Sequence, residues 1–306
     1  MQLIRDLADL PARLRSGAVA IGNFDGVHLG HARIIKALVA KARRVGGPAV
    51  VFTFDPHPVR LLRPEQAPPP LTWTERKAEL LTALGVDAMI AYPTDEALLD
   101  LTPEAFFTRI IRRSLDARAL VEGPNFFFGR DRSGDVHRLG ELAASAKIAL
   151  EVVDPFVLEG EIVSSSRIRR AIAEGDVAVA ARMLTQPYRI RGMVTHGAGR
   201  GSKLGFPTAN VDAIDTLLPA AGVYAGRGRG GPNVWPAAIS IGPNPTFGEH
   251  AVKVEVHLIG CHESLYSEPL EVDFLTRLRD IEAFASVEAL QEQMALDVER
   301  AVEESC

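Results

Sequence analysis

The chain has 306 residues, 47% of them hydrophobic and 24% charged, with a formal net charge of −5. That length suits about two domains of ~150 residues, and the acidic balance argues against broad binding to nucleic acid or to an anionic membrane surface, while leaving room for a local basic pocket that takes a nucleotide. No apolar run approaches the ~18 residues that span a bilayer, and the only cysteines, Cys261 and Cys306, make neither a disulfide framework nor a metal-binding pair.

A reducing cytoplasm is therefore the expected compartment. The polar N-terminal stretch lacks the apolar centre of a signal peptide and reads as part of the mature fold. In chain order, AVAIG (18–22) reads as a strand. Ala32 to Arg44 reads as a helix with Ile34, Ile35, Leu38 and Val39 at helical spacing. PAVVFTF (48–54), VDAMIAY (86–92), ARALVEG (117–123) and IALEVVD (148–154) are further strands, with helices expected at Glu75 to Leu84 and Pro103 to Arg113. Strands alternating with helices predict an α/β domain with a Rossmann-like parallel sheet, which binds ligands at the carboxyl ends of its strands.

The pattern changes near residue 186. Two short helical segments, SRIRRAIAEG and VAVAARML, precede the strand-length runs YRIRGMVTH, GVYAGRG, WPAAISIG, VKVEVHLIG and LEVDFL, separated by Gly and Pro. These predict a small antiparallel β-barrel, closed by a terminal helix over Val287 to Val302. The expected domains are 1–186 and 187–306.

GNFDGVHLGH (22–31) joins the first strand to the first helix. His28 and His31, three apart at a helix start, share that place with backbone N–H groups and the positive end of the helix dipole, which suits a polyphosphate. Two other readings stay open on the residues alone: capping or surface histidines, and a zinc site. In VSSSRIRRAIAEGD (163–176), Ser164 or Ser165 would cap a helix. Arg167, Arg169 and Arg170 are expected in its first turn, where cations oppose the dipole; they suggest an anionic ligand, the alternative being a solvated basic face.

G-x-F-D-G-V-H-x-G-H together with S-S-S-R-I-R resembles the nucleotidyltransferases that move a nucleotidyl group from a nucleoside triphosphate. FDPHP (54–58) and EGPNFFFG (122–129) narrow the resemblance to the FMN adenylyltransferase module of bacterial FAD synthetases. It implies that His28 and His31 handle the ATP phosphates within a loop of Gly22, Asn23, Phe24, Asp25 and Gly30. It implies that Ser164, Ser165, Ser166 and Arg169 close on the pyrophosphate. Asn125 is expected with Asn23 and Asp25 at the catalytic and nucleotide end, next to the flavin. Phe54, Pro56, His57, Pro58 and Phe128 form the flavin side. Ser166 stands where Thr is commoner, and Phe127 where a polar residue is usual.

GAGRGSKLGFPTAN (197–210) is not a Walker A loop, because G-S-K is not G-K-[ST] and a strand precedes it with no helix expected after it. It reads as a Gly-rich flap. Thr208 and Asn210, hard oxygen donors two apart on an extended strand, share a face and suit Mg²⁺. Glu255, in an alternating run, either faces water or serves as a general base toward a hydroxyl. This flap, NPTFG (244–248), the E-V-H-L run and Leu265-Tyr266 resemble riboflavin kinase. The resemblance implies that Gly199, Gly201, Lys203, Gly205, Pro207 and Thr208 bind ATP, that Thr208 and Asn210 hold Mg²⁺, and that Glu255 deprotonates the ribityl hydroxyl. Ile281 stands where that family usually carries Glu, with Glu282 beside it.

Together the two resemblances imply a bifunctional cytoplasmic enzyme using ATP and Mg²⁺ to convert riboflavin to FMN and FMN to FAD. Its partners are small molecules, with no nucleic acid or membrane, and homo-oligomerisation is left open. A chain with one activity lost, and a flavin- or nucleotide-binding regulator without turnover, are the alternatives.

Overall fold

The run Ala49–Asp55 buries Ala49, Val50, Val51, Phe52 and Thr53 in succession rather than alternately, which marks a strand covered on both faces. The computed structural model describes residues 1–197, 200–243 and 252–305, and only the backbone of Arg200 and Lys203. Packing divides the chain into two units: Met1–Pro68 with Trp73–Ser164, and Pro69–Thr72 with the chain from Ser165 onward.

The first unit carries β1 (Gln2–Ile4), β2 (Ala18–Ile21), β3 (Ala49–Asp55), β4 (Ala88–Pro93), β5 (Ala119–Glu122), β6 (Phe127–Phe128), β7 (Gly134–Asp135), β8 (Ala149–Val152), β9 (Val157–Leu158) and β10 (Glu161–Ile162). Its helices are α1 (Leu29–Val45), α2 (Pro58–Leu62), α3 (Thr74–Ala83), α4 (Glu96–Leu99), α5 (Pro103–Phe106) and α6 (Val136–Ser145). The parallel sheet runs β1-β4-β3-β2-β5-β8. The chain builds outward from β2 to β3 and β4 on one side and to β5 and β8 on the other. The carboxyl ends of β2 and β5 are therefore the switch point where such sheets bind ligands. Alternation within β2 divides the core: Val19 and Ile21 join Phe52, Ile90 and Leu120 on one face, while Ala18 and Ala20 join Leu38, Val51 and Met89 on the other.

Helix α1 buries Ile35, Leu38 and Ala42, spaced three and four apart, and ends at Gly46 in the left-handed region. The helix expected from Pro103 to Arg113 is found as α5 continuing into a wider π-helical stretch, Phe107–Ser114. The β1 strand lies in a segment whose mixed charge masks it.

In the second unit, β11 (Tyr188–Thr195), β12 (Ala209–Asp212), β13 (Gly222–Gly230), β14 (Asn233–Gly242), β15 (Lys253–Leu258) and β16 (Pro269–Arg279) close a barrel in the order β11-β12-β15-β14-β13-β16. Neighbouring strands are antiparallel throughout. Tyr188, Ile190, Tyr224, Ile239, Val256 and Phe274 are at most 2% exposed within it. The helices of this unit are α7 (Ser165–Ala173), α8 (Val177–Met183), α9 (Arg200–Lys203) and α10 (Val287–Ser305). Helix α10 is tied to the barrel by buried Asp297, which accepts from Arg279 Nε at 3.1 Å and Nη2 at 2.8 Å.

Helix α8 packs on β11 and β16, and it buries Val177, Ala180 and Met183. A fragment beginning at Ser165 should therefore be more stable than one beginning at Tyr188, by about 2–5 kcal/mol if two or three apolar side chains lose their cover. Urea midpoints of the two fragments measure this, and equal midpoints would show that the helices add nothing.

Candidate active sites

The turn after β2 bends sharply. Phe24 and Val27 hold φ at 46° and 41°, a costly region for residues with a Cβ, and Gly26 lies at 83°. The bend delivers His28 to the N-cap of α1, where its Nδ1 accepts the His31 N–H at 3.3 Å. The two imidazoles stack at 3.6 Å and 17°, with Phe24 edge-on to His31 at 5.1 Å. Gly30 makes this possible, since an added Cβ would sit 3.0 Å from His28 Cε1 and 3.5 Å from the Val163 carbonyl oxygen. Parallel rings do not converge on a point as zinc ligands do. Among the described residues no cluster of three or more His, Cys, Asp or Glu could hold a metal.

Burial sets the charge state. It lowers the His28 pKa from 6.5 to about 4 against the pull of Asp25. It lowers His31 well below 6.5, assisted by His28 and Lys77. Both rings are neutral at pH 7. Because His28 Nδ1 is an acceptor, its proton lies on Nε2, which is left as a donor. Above pH ~6.5 the shift costs no stability. As pH falls from 6.5 to 4, the unfolded chain takes a proton that folded His28 refuses, costing about 3 kcal/mol in all. His31 acts in the same direction. Urea titrations at pH ~7 and ~5 should show a loss of about 2 kcal/mol that shrinks in His28→Gln. An unchanged midpoint would contradict the buried neutral state.

Asn23 links three segments. Its carbonyl accepts Lys77 Nζ at 2.7 Å and Thr53 Oγ1 at 3.1 Å, and its amide meets His57 Nε2 at 2.8 Å. His57 caps α2, with Pro58 at the helix start, so the 54–58 loop is joined to the 22–31 turn. Lys77 is a site residue the sequence reading did not single out. It is 9% exposed, its pKa is lowered by burial, and Asp25 and Asp55 pull it back up. The available signal was a lysine three and four residues before buried Leu80 and Leu81 on α3. Asn23 Oδ1 and His31 Nδ1 are buried without a hydrogen-bond partner, so this turn does not complete its own polar contacts.

The other predicted residues of this site are placed as follows. Gly22 still bonds β3 through its N–H to Phe52 O at 3.0 Å, and Asp25 is buried. Phe54 packs against the core from β3, Pro56 is exposed, and Asn125 is exposed after β5. Phe128 is a core residue at 5% exposure, stacked on Phe126 at 5.4 Å. Phe127 is exposed beneath the Arg132 guanidinium. Ser164 closes the first unit, next to the Val163 that lies against Gly30. Ser165, Ser166 and Arg169 belong to α7 of the second. Since α7 begins at Ser165, only Arg167 of the three arginines falls in its first turn, which corrects the expected placing of Arg169 and Arg170. Arg169 Nε donates to Pro69 O at 2.9 Å.

In the barrel, register does what spacing could not. Asn210 of β12 pairs directly with Glu255 of β15 and with Thr195 of β11, and Glu255 pairs with Ser240 of β14. Directly opposed residues hold their Cβ atoms about 5 Å apart on one face. An added Cβ at Gly197 would lie 2.1 Å from Asn210 Nδ2, and one at Gly201 would lie 3.2 Å from Thr208 Oγ1. The flap backbone thus lies on both oxygen-bearing side chains. Contrary to expectation, a short helix, α9, does form in this flap, yet its four residues leave the Walker reading excluded on sequence. Gly205 lies at φ 89°, and Pro207 receives His257 Nδ1 on its carbonyl at 2.8 Å. A cavity of about 140 Å³ adjoins Pro207 and Thr208, bounded also by Leu258, Cys261, Glu263 and Tyr266. Gly199, the Lys203 side chain and residues 244–248 lie outside the described residues. Ile281 packs with Val223, Ala225 and Leu278, and Glu282 pairs with Arg279 at 3.6 Å.

A parallel sheet with stacked histidines at its switch point, followed by a closed barrel with oxygen donors under a glycine flap, defines a nucleotidyltransferase fold joined to a flavokinase fold. Residues 10–167 match the FAD synthetase family and residues 184–304 the riboflavin kinase family. The bifunctional riboflavin kinase/FMN adenylyltransferase of Pseudomonas fluorescens is 36% identical over 97% of this chain and 96% of its own. That of Haemophilus influenzae is 34% identical over 98% of each. A crystal structure described as a macrolide-efflux protein from Streptococcus pneumoniae aligns over 99% of both chains at 30% identity, with a TM-score of 0.87. The chain belongs to the bifunctional riboflavin kinase/FMN adenylyltransferase family.

Proposed function

We propose that this chain phosphorylates riboflavin to FMN in its barrel unit and adenylylates FMN to FAD in its parallel-sheet unit, releasing pyrophosphate. What supports the reading is that one chain matches the FAD synthetase family over residues 10–167 and the riboflavin kinase family over residues 184–304, with both sets of motif residues present. The functional boundary is placed near residue 186, with residues 1–186 adenylylating and 187–306 phosphorylating.

For adenylyl transfer no protein nucleophile is needed. The FMN phosphate attacks the α-phosphorus of ATP, the new P–O bond forms, and pyrophosphate leaves with the electron pair. What the chain supplies is position and preorganised donors. His28 Nε2–H, the α1 N-terminus and Lys77 are assigned to the phosphates, and Ser164, Ser165, Ser166 and Arg169 to the leaving group. A polyphosphate here raises the pKa of both histidines. Asn23, joined to His57, sets the flavin loop against the nucleotide loop, with Phe54, Pro56, Pro58 and Asn125 along it.

For the kinase, Glu255 accepts the proton of the ribityl hydroxyl as that oxygen attacks the γ-phosphorus; the new P–O bond forms, the bond to the β–γ bridging oxygen breaks, and ADP leaves with the electron pair. Thr208 and Asn210 fit Mg²⁺ by donor chemistry, as hard oxygens under a backbone that a Cβ at Gly197 would displace. When bound, Mg²⁺ supplies charge neutralisation to the phosphates. No helix among the described residues is long and apolar enough to cross a membrane, and we assign the cytoplasm as the compartment. Incubation with riboflavin, ATP and Mg²⁺, with chromatographic separation of the flavins, should give FMN and then FAD. Bound flavin with neither product would overturn the reading.

A further inference from the structure

Glu122 ends β5 at 2% exposure and has no role in the reaction described above. Its neighbours hold it differently. Strand β5 stays paired with β8 through Glu122 and Val152, but its pairing with β2 stops at Val19 and Leu120. Strand β2 stays paired with β3 to Ile21 and Phe52. The last residues of β2 and β5 therefore part, at the switch point of the sheet. The Ile21 N–H, which a continued ladder would give to a β5 carbonyl, is taken by Glu122 Oε1 at 2.8 Å. One residue further on, β2 becomes the loop that carries Asn23 and Asp25. A carboxyl side chain thus fills the split in the floor of the nucleotide cleft.

We propose that Glu122 is a positioning residue for ATP in adenylyl transfer: as a neutral acid it holds the ends of β2 and β5 apart and keeps negative charge from beneath the phosphates. The inference rests on the adenylyl-transfer reading of this unit. Burial supports it by pushing the Glu122 carboxyl well above the ordinary range, against a smaller opposite pull from the Ile21 N–H. By alternation Glu122 shares its face of the sheet with Ile21 and Leu120. The charged or titratable groups on the elements of that face are Glu104 on α5, Arg109, Arg112 and Arg113 on the 107–114 stretch, and His137, Arg138 and Glu141 on α6. Asp25 follows β2, Glu151 lies on β8, and His28, His31, Arg33, Lys36, Lys41, Arg43 and Arg44 belong to α1 and its cap on the opposite face. None of them contributes to its shift, and Lys41 is paired with Glu151 at 3.0 Å.

The neutral form is lost as pH rises through the raised pKa. FAD formation from FMN by the full chain, followed as KM for ATP and kcat over about pH 6–9, spans the range known for buried carboxyls. Glu122→Gln keeps an acceptor for Ile21 without an ionisable proton. It should match wild type at low pH and lack the alkaline rise in KM, which for a single required proton approaches about tenfold per pH unit. Glu122→Leu leaves the Ile21 N–H unpaired and should raise KM for ATP about tenfold at every pH. Riboflavin phosphorylation in the same samples should not change. Parallel wild-type and Glu122→Gln profiles, a large loss in Glu122→Gln at low pH, or an unchanged KM in Glu122→Leu would each overturn the proposal. A wild-type chain that makes no FAD from FMN overturns the adenylyl-transfer reading and this inference with it.

Discussion

Replacing both His28 and His31 with alanine is expected to stop FAD formation while FMN continues to be made and accumulates. Each ring is held by the fold rather than by solvent: His28 by its cap bond to the His31 N–H, His31 by the stack on His28 and the edge of Phe24. Preorganised donors of this kind contribute about 2.7–4 kcal/mol each, or ~10²–10³ in rate. The double loss should exceed either single loss without equalling their product, since both rings serve one developing charge. Because His28 also caps α1, alanine weakens the helix by about 1 kcal/mol. His28→Asn separates the two effects, as asparagine is a good cap without the imidazole donor. It should keep thermal stability and still lose FAD formation. Wild-type FAD output from the double variant would sink the assignment of this turn.

Glu255→Gln is expected to give the opposite pattern, with FMN formation down ~10²–10⁴ and FAD formation from supplied FMN intact. The amide preserves shape between Asn210 and Ser240, which flank it in register on the neighbouring strands. It cannot accept the hydroxyl proton at neutral pH. A loss mainly in kcat, with KM for riboflavin nearly unchanged, fits a group acting in the transition state. Equal loss of both activities would point to damaged folding, and unchanged FMN formation would return Glu255 to an ordinary barrel residue.

Much of this was legible in the amino-acid order because it depends on neighbours along the chain. Successive apolar residues in β3 reveal a strand covered on both faces, and His28 to His31 spans one helical turn. Thr208 and Asn210 two apart on extended chain mark a shared face. The alternation past residue 186 announces the barrel. Local steric and hydrogen-bonding rules suffice for all of these, so the fold class and the two motif-bearing turns could be stated from residues alone.

Other features were settled only by contacts between residues far apart in sequence. Lys77 looks like any helical lysine until α3 is packed and its ammonium reaches the Asn23 carbonyl, 54 residues away. His57 meets Asn23 across 34 residues. Asn210 and Glu255 become neighbours only through strand register, because pairing is set by how the barrel closes and not by either strand. The helices α7 and α8 precede the composition change yet belong to the barrel's unit, because burial follows the surface that covers their apolar faces. Glu122 is the sharpest case. In ALVEG it is one acidic residue ending an apolar run, and only the parting of β2 from β5 places its carboxyl on the Ile21 N–H. Sequence specifies which groups a segment can offer, whereas a buried polar group takes its role from the donors and acceptors that the folded chain brings within about 3 Å of it.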